Sequence, residues 1–258
     1  MPQNKNTLNN NNKQANRQGE NGNVFLFIML GVILFAALSF TIARGFRSDN
    51  SSAMSDRQAE LQATEIIEYA QRMERAINKI RRNGCSENNI SFTGAPTHFG
   101  VDAYAHTPQV DPKCRAFDPE GGNMPILNTV QAGYHTTDTS AWPLTQFFYH
   151  RAMRIREIGV DEKTDLIMNL ANIDRKVCLS INKLSGVENP LGEPPRDTSG
   201  PNGGAFTGTF GFDNTINSGV SVNTTGNEVN GRNPVCVVSD NGTVGNDKYY
   251  FYYALIER

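Results

Sequence analysis

The residues able to do chemistry in this chain are scattered. Its four histidines, His98, His106, His135 and His150, are dispersed through loop-like sequence. None stands at the short spacing that frames a zinc site, and each read alone is more often a surface residue than a ligand or general base. Asp102, Asp111, Asp118 and Glu120 could supply oxygen ligands. Their spacing does not match a calcium loop, and turn chemistry accounts for them better, as it does for Asp118-Pro119-Glu120-Gly121-Gly122. Gly200-Pro201-Asn202-Gly203-Gly204 lacks the Lys-Ser/Thr and the following helix of a phosphate loop. No G-x-S-x-G is present. An anchored hydrolase therefore has no motif to stand on, and neither a metal nor another cofactor is expected. A net charge of −2, with no basic stripe among aromatics, gives no electrostatic case for nucleic acid.

The cysteines say more. Cys85, Cys114, Cys178 and Cys236 form no C-x-x-C pair, and all lie C-terminal to the one long apolar segment. An even count in a domain held outside the cytoplasm points to disulfides, with four buried thiols as the alternative. Sequence alone does not choose among the three pairings. The pairing that closes the shorter loops, Cys85 with Cys114 and Cys178 with Cys236, is the one we favour.

The elements that must position these residues begin with a polar, Asn- and Gln-rich stretch over residues 1–23, expected to be disordered. Residues 24–43 come next, without a charge between Glu20 and Arg44. About 20 apolar residues make a helix long enough to cross the hydrocarbon core. A cleaved secretory signal has a shorter core and a small-x-small site, which Thr41-Ile42-Ala43 fits poorly. An uncleaved transmembrane helix is therefore expected. Lys5, Lys13 and Arg17 on one side nearly balance Arg44 and Arg47 on the other. The cysteines place the larger C-terminal part in an oxidising, extracytoplasmic compartment.

Residues 44–55 read as a short linker or weak helix, with Ser55 or Asp56 able to cap the next helix. Ala59, Ala63, Ile66, Ala70, Met73, Ile77 and Ile80 then recur at spacings of four and three, one stripe of an amphipathic helix that Gly84 would end. A second helix is expected from Asp161 to Gly186, on the stripe Leu166, Leu170, Ile173, Val177, Ile181 and Leu184. Strands are expected within residues 142–160, and at residues 205–212, 235–238 and 249–256, with Asp240-Asn241-Gly242 as a turn. Short β-like pieces are Asn89-Ile90-Ser91-Phe92 and Cys114-Arg115-Ala116-Phe117. The run at 249–256 is apolar on both faces and belongs at the centre of a sheet. The fold class is α+β: a transmembrane helix and an amphipathic helix packed on an antiparallel sheet. The soluble head takes up residues 85–258.

A polar leader ending in Gly22, an apolar helix, an amphipathic helix and a cysteine-bearing domain ending in strands occur in that order. This order resembles type IV pilins and the pseudopilins of type II secretion. The resemblance covers about residues 22–84. It implies cleavage between Gly22 and Asn23, insertion in a bacterial inner membrane, and packing of the apolar helix against lipid and like subunits, with heads facing outward. The fifth position after that cut is Phe27, where the family usually carries Glu. The other reading is an anchored ligand-binding or adhesive domain, with Trp142, Phe147, Phe148 and Tyr149 lining a recognition surface.

Overall fold

The computed structural model describes residues 21–48, 50–96, 102–129, 134, 146–160, 163–197, 204–211, 214–216, 227–239 and 248–258. Side chains are described over residues 25–39 and from Asp56 onward. The chain divides into two compact units, Met1–Met54 and Ser55–Arg258.

In the first unit the uncharged run folds as helix α1, Asn21–Ser48. Residues 1–20 of the expected leader lie outside the described residues, and Gly22 and Asn23 sit in the first turn of α1. Among the described residues no helix is long and apolar enough to cross a membrane. The part of α1 with described side chains, residues 25–39, is itself shorter than the ~20 residues of a full span.

Helix α2 spans Asn50–Arg82. Of the two readings for residues 44–55, linker or weak helix, the helical one holds over residues 44–48 and 50–55, and Ser55 and Asp56 lie inside a helix rather than capping one. Residues 50–58 contain no Gly or Pro, so nothing stops helix growth back from the packed stripe. All seven stripe residues are buried, joined by Tyr69 and Ala76. They share one core with the sheet. Tyr253 Oη donates to Glu74 Oε2 at 2.6 Å, a direct tie from the sheet to α2.

The remaining elements are β1 (Phe148–Ile155), β2 (Asp165–Ile173), α3 (Arg175–Ser185), β3 (Arg196–Asp197), β4 (Asn214–Ile216), β5 (Val235–Ser239) and β6 (Lys248–Ile256). The sheet order is β3-β5-β6-β2-β1-β4. The antiparallel expectation holds for β1–β2, β2–β6 and β5–β6. It is corrected at both edges, where β4 and β3 run parallel to β1 and β5. The terminal strand β6 is central, as its two apolar faces require.

The helix expected from Asp161 to Gly186 is two elements, and Asp161 lies outside the described residues. Leu166, Leu170 and Ile173 have helical spacing, but Ile167, Met168 and Ala171 fill the gaps between them. A nearly continuous apolar run is the pattern of a strand covered on both faces, and every residue of β2 is buried. The helix starts later, where Asp174 accepts from Lys176 N at 2.7 Å, and it ends at Gly186 in the left-handed conformation. The strand expected at 205–212 shrinks to one bridge between Ala205 and His150, after which the chain turns at Gly208 (φ 89°). The β-like pieces near 90 and 115 likewise meet only in a bridge, Ser91 with Arg115. The turn expected at Asp240 lies outside the described residues.

Side chains finish the sheet where strands run out. β3 pairs only with Val238 and Ser239, leaving the outer edge of Cys236 without a strand. Asn182 of α3 fills the gap: its Oδ1 accepts from Cys236 N and its Nδ2 donates to Cys236 O, both at 2.8 Å. Asn233 does the same for Ala254, beyond the end of β5, with both bonds at 3.0 Å. Asp165 accepts from Arg258 N at 3.0 Å and Ile155 N at 3.4 Å. Each device satisfies backbone groups that would be costly to bury unpaired. Two disulfides, Cys85–Cys114 and Cys178–Cys236, close the shorter loops and leave no free cysteine. The second pins α3 to β5 one helical turn from Asn182.

Candidate functional site

Two surfaces stand out, one on each unit. The first is α1. Phe25, Leu26, Phe27, Ile28, Met29, Leu30, Val32, Ile33, Leu34, Phe35 and Leu38 are each 51–76% exposed. These residues cover every side of the helix, and among the described residues nothing beyond the helix's own backbone lies within 4 Å of a Cβ built on Gly31. A helix apolar all round belongs in a core or a bilayer rather than in water. Gly22 and Asn23, the expected cleavage point, stand at its start.

The second surface is a cleft of about 570 Å³ on the head. Three distant stretches build it: Gly84 to Asn89 after α2, His106 to Cys114, and Thr207 to Thr209. The Cys85–Cys114 disulfide joins the first two, and Asn88 Nδ2 donates to Gly208 O at 2.7 Å, tying in the third. Gly208 is required there. A Cβ would lie 2.6 Å from Asn88 O and 2.8 Å from the His106 ring, on a backbone with positive φ. His106 is buried at 6% exposure, and its Nε2 has no hydrogen-bond partner among the described residues. Burial pulls the imidazole below its usual pKa, against the opposing field of Asp102 and a bond at Ile90. The shift favours the neutral imidazole. The charged pair in the lining, Asp111 and Lys113, is self-compensated at 3.3 Å.

The other sequence candidates fall into place individually. His98, His135 and Trp142 lie outside the described residues. His106 and His150 are buried, which corrects the surface expectation; His150 is held at 2% exposure in β1 against Phe148. Asp102, Asp111 and Asp118 each accept from the backbone N–H two residues on, at 3.0–3.1 Å, which is turn chemistry. Among the described residues no three His, Cys, Asp or Glu side chains could together hold a metal ion. Phe147, Phe148 and Tyr149 are core residues, not a recognition surface: Tyr69 stacks on Phe147 and Phe92 on Tyr149. Phe148 and Tyr149 open β1 and Phe147 immediately precedes it; all three are buried, so their aromatic content signalled packing. The cleft went unread in the sequence because residues more than a hundred positions apart meet in it and no local pattern marks that meeting. No family model matches the chain, and neither a curated protein nor a solved structure matches it.

Proposed function

We propose that this chain is a single-pass, membrane-anchored, pilin-like structural subunit of a bacterial envelope assembly, with its head outside the cytoplasm. The observation that carries the reading is the exposure of α1. Eleven large apolar side chains there are more than half exposed. At 1.5–3 kcal/mol for full burial of each, leaving them in water forgoes roughly 10–20 kcal/mol. Lipid or the apolar helices of other subunits would recover that energy. The uncharged run over residues 24–43 is about 30 Å long as a helix, the thickness of the hydrocarbon core. The two disulfides of the head support an oxidising compartment.

Within this reading α1 mediates subunit contacts and α2 carries the head. Gly31, Ala36 and Ala37 allow close helix approach inside the bilayer. The test is membrane fractionation of the natively expressed protein, together with intact-mass determination of its N-terminus. A membrane-bound chain beginning at Asn23 is the expected result. A soluble chain beginning beyond Ala43 would remove the anchor and the proposal with it.

A further inference from the structure

We propose that the cleft on the head binds a neutral, hydroxyl-rich ligand, a short saccharide. This goes beyond the scaffold reading and stands whether or not α1 enters a membrane. The cleft volume, about 570 Å³, lies within the range of small-molecule sites, roughly 300–1,000 Å³. It exceeds what a single ion needs. Its polar lining is the amides of Asn88, Asn89 and Gln109 with the hydroxyls of Thr207 and Thr209. Each such group includes both a donor and an acceptor, as a sugar hydroxyl does.

Charge argues for neutrality. Asp111 and Lys113 satisfy each other at 3.3 Å, and among the described residues no other formally charged side chain lines the cleft. His106 packs behind the wall with its Nε2 buried, so it adds no charge to the cleft and the hydrogen bonds to a ligand fall to the amides and hydroxyls. Pro108, Val110 and the Cys85–Cys114 disulfide supply an apolar wall for the C–H face of a sugar ring. The framework is fixed on three sides, by the disulfide, by the Asn88–Gly208 bond and by the close backbone approach at Gly208. Such preorganisation lowers the ordering cost of binding.

The experiment uses the full chain in a detergent without a sugar headgroup. Calorimetric titration is run with neutral trisaccharides of glucose, galactose and N-acetylglucosamine, and with sialyllactose as the acidic arm. The expected result is binding of at least one neutral trisaccharide. It weakens about tenfold or more in Asn89→Leu/Thr209→Val, which removes two hydrogen-bonding side chains. Asn89 and Thr209 are both exposed, so that variant keeps the fold. Failure of every neutral trisaccharide to bind at millimolar concentration overturns the proposal. So does binding that the double variant leaves unchanged, or binding of sialyllactose alone that disappears in Lys113→Ala.

Discussion

Asn182→Leu is the substitution that most sharply tests how this sheet is completed. Asn182 is fully buried, and its amide takes the place of a missing strand beside Cys236. Leucine keeps the branched shape but removes both partners of the Cys236 peptide groups, and also the bond from Asn182 Nδ2 to Asn189 Oδ1. A buried donor or acceptor left unpaired costs about 1–3 kcal/mol, so stranding both groups costs roughly 2–6 kcal/mol. At about 2–4 °C per kcal/mol for a domain of this size, the melting temperature should fall by roughly 4–24 °C. The assay is thermal unfolding monitored by near-ultraviolet circular dichroism, with both disulfides kept oxidised. Asn182→Asp is the informative companion. Its carboxylate still accepts from Cys236 N but faces the Cys236 carbonyl oxygen without a proton to donate. Acidification should therefore recover part of its loss and none of leucine's. A cost below about 0.5 kcal/mol for leucine, within the range of ordinary surface substitutions, would refute the surrogate-strand argument.

The same contacts set three further expected outcomes. Burial raises the Asp165 carboxyl from 3.8 to about 6, despite two backbone N–H donors. A raised folded-state pKa favours the neutral form, so this stabilisation is complete below the unfolded value and is lost as pH rises through about 6. Relative to wild type, Asp165→Asn should gain on the order of 3 kcal/mol at most between about pH 4 and about pH 7, and a difference in unfolding free energy between the two proteins that stays the same across that range in denaturant titrations would contradict it. Removing the Cys178–Cys236 crosslink, which spans 58 residues, by Cys178→Ala/Cys236→Ala should cost about 4 kcal/mol in chemical denaturation. Gly122→Ala would put a Cβ 2.3 Å from Ala116 O, and the resulting opening of the turn at Asp118 should speed amide exchange at Met124, whose N–H bonds that same carbonyl.

Much of the fold was legible because burial writes periodicity into the chain. The α2 stripe could be read residue by residue, since one face meets a core and the other meets water. β5 and β6 were legible from short apolar runs. The misreading at 161–186 arose where a strand buried on both faces runs almost directly into a helix, so two patterns merged into one false stripe. The parallel edges were hidden because β3 and β4 are two and three residues long, too short to carry a pattern. Likewise, Asn182, Asn233 and Asp165 look like ordinary surface polars in sequence, and only tertiary pairing reveals their backbone role. Of the two surfaces, α1 announced itself by composition, whereas the cleft depends on long-range contacts.

The central claim is that α1 brings copies of this chain together in a membrane. Single cysteines at Val32 and at Ala36, one helical turn apart and both exposed on α1, test it directly. The native cysteines are already paired and should stay silent. Oxidative crosslinking in membranes at native expression should give a ladder of species beyond the dimer from at least one position. Monomers alone from both would contradict the claim and leave α1 without the partners proposed for it.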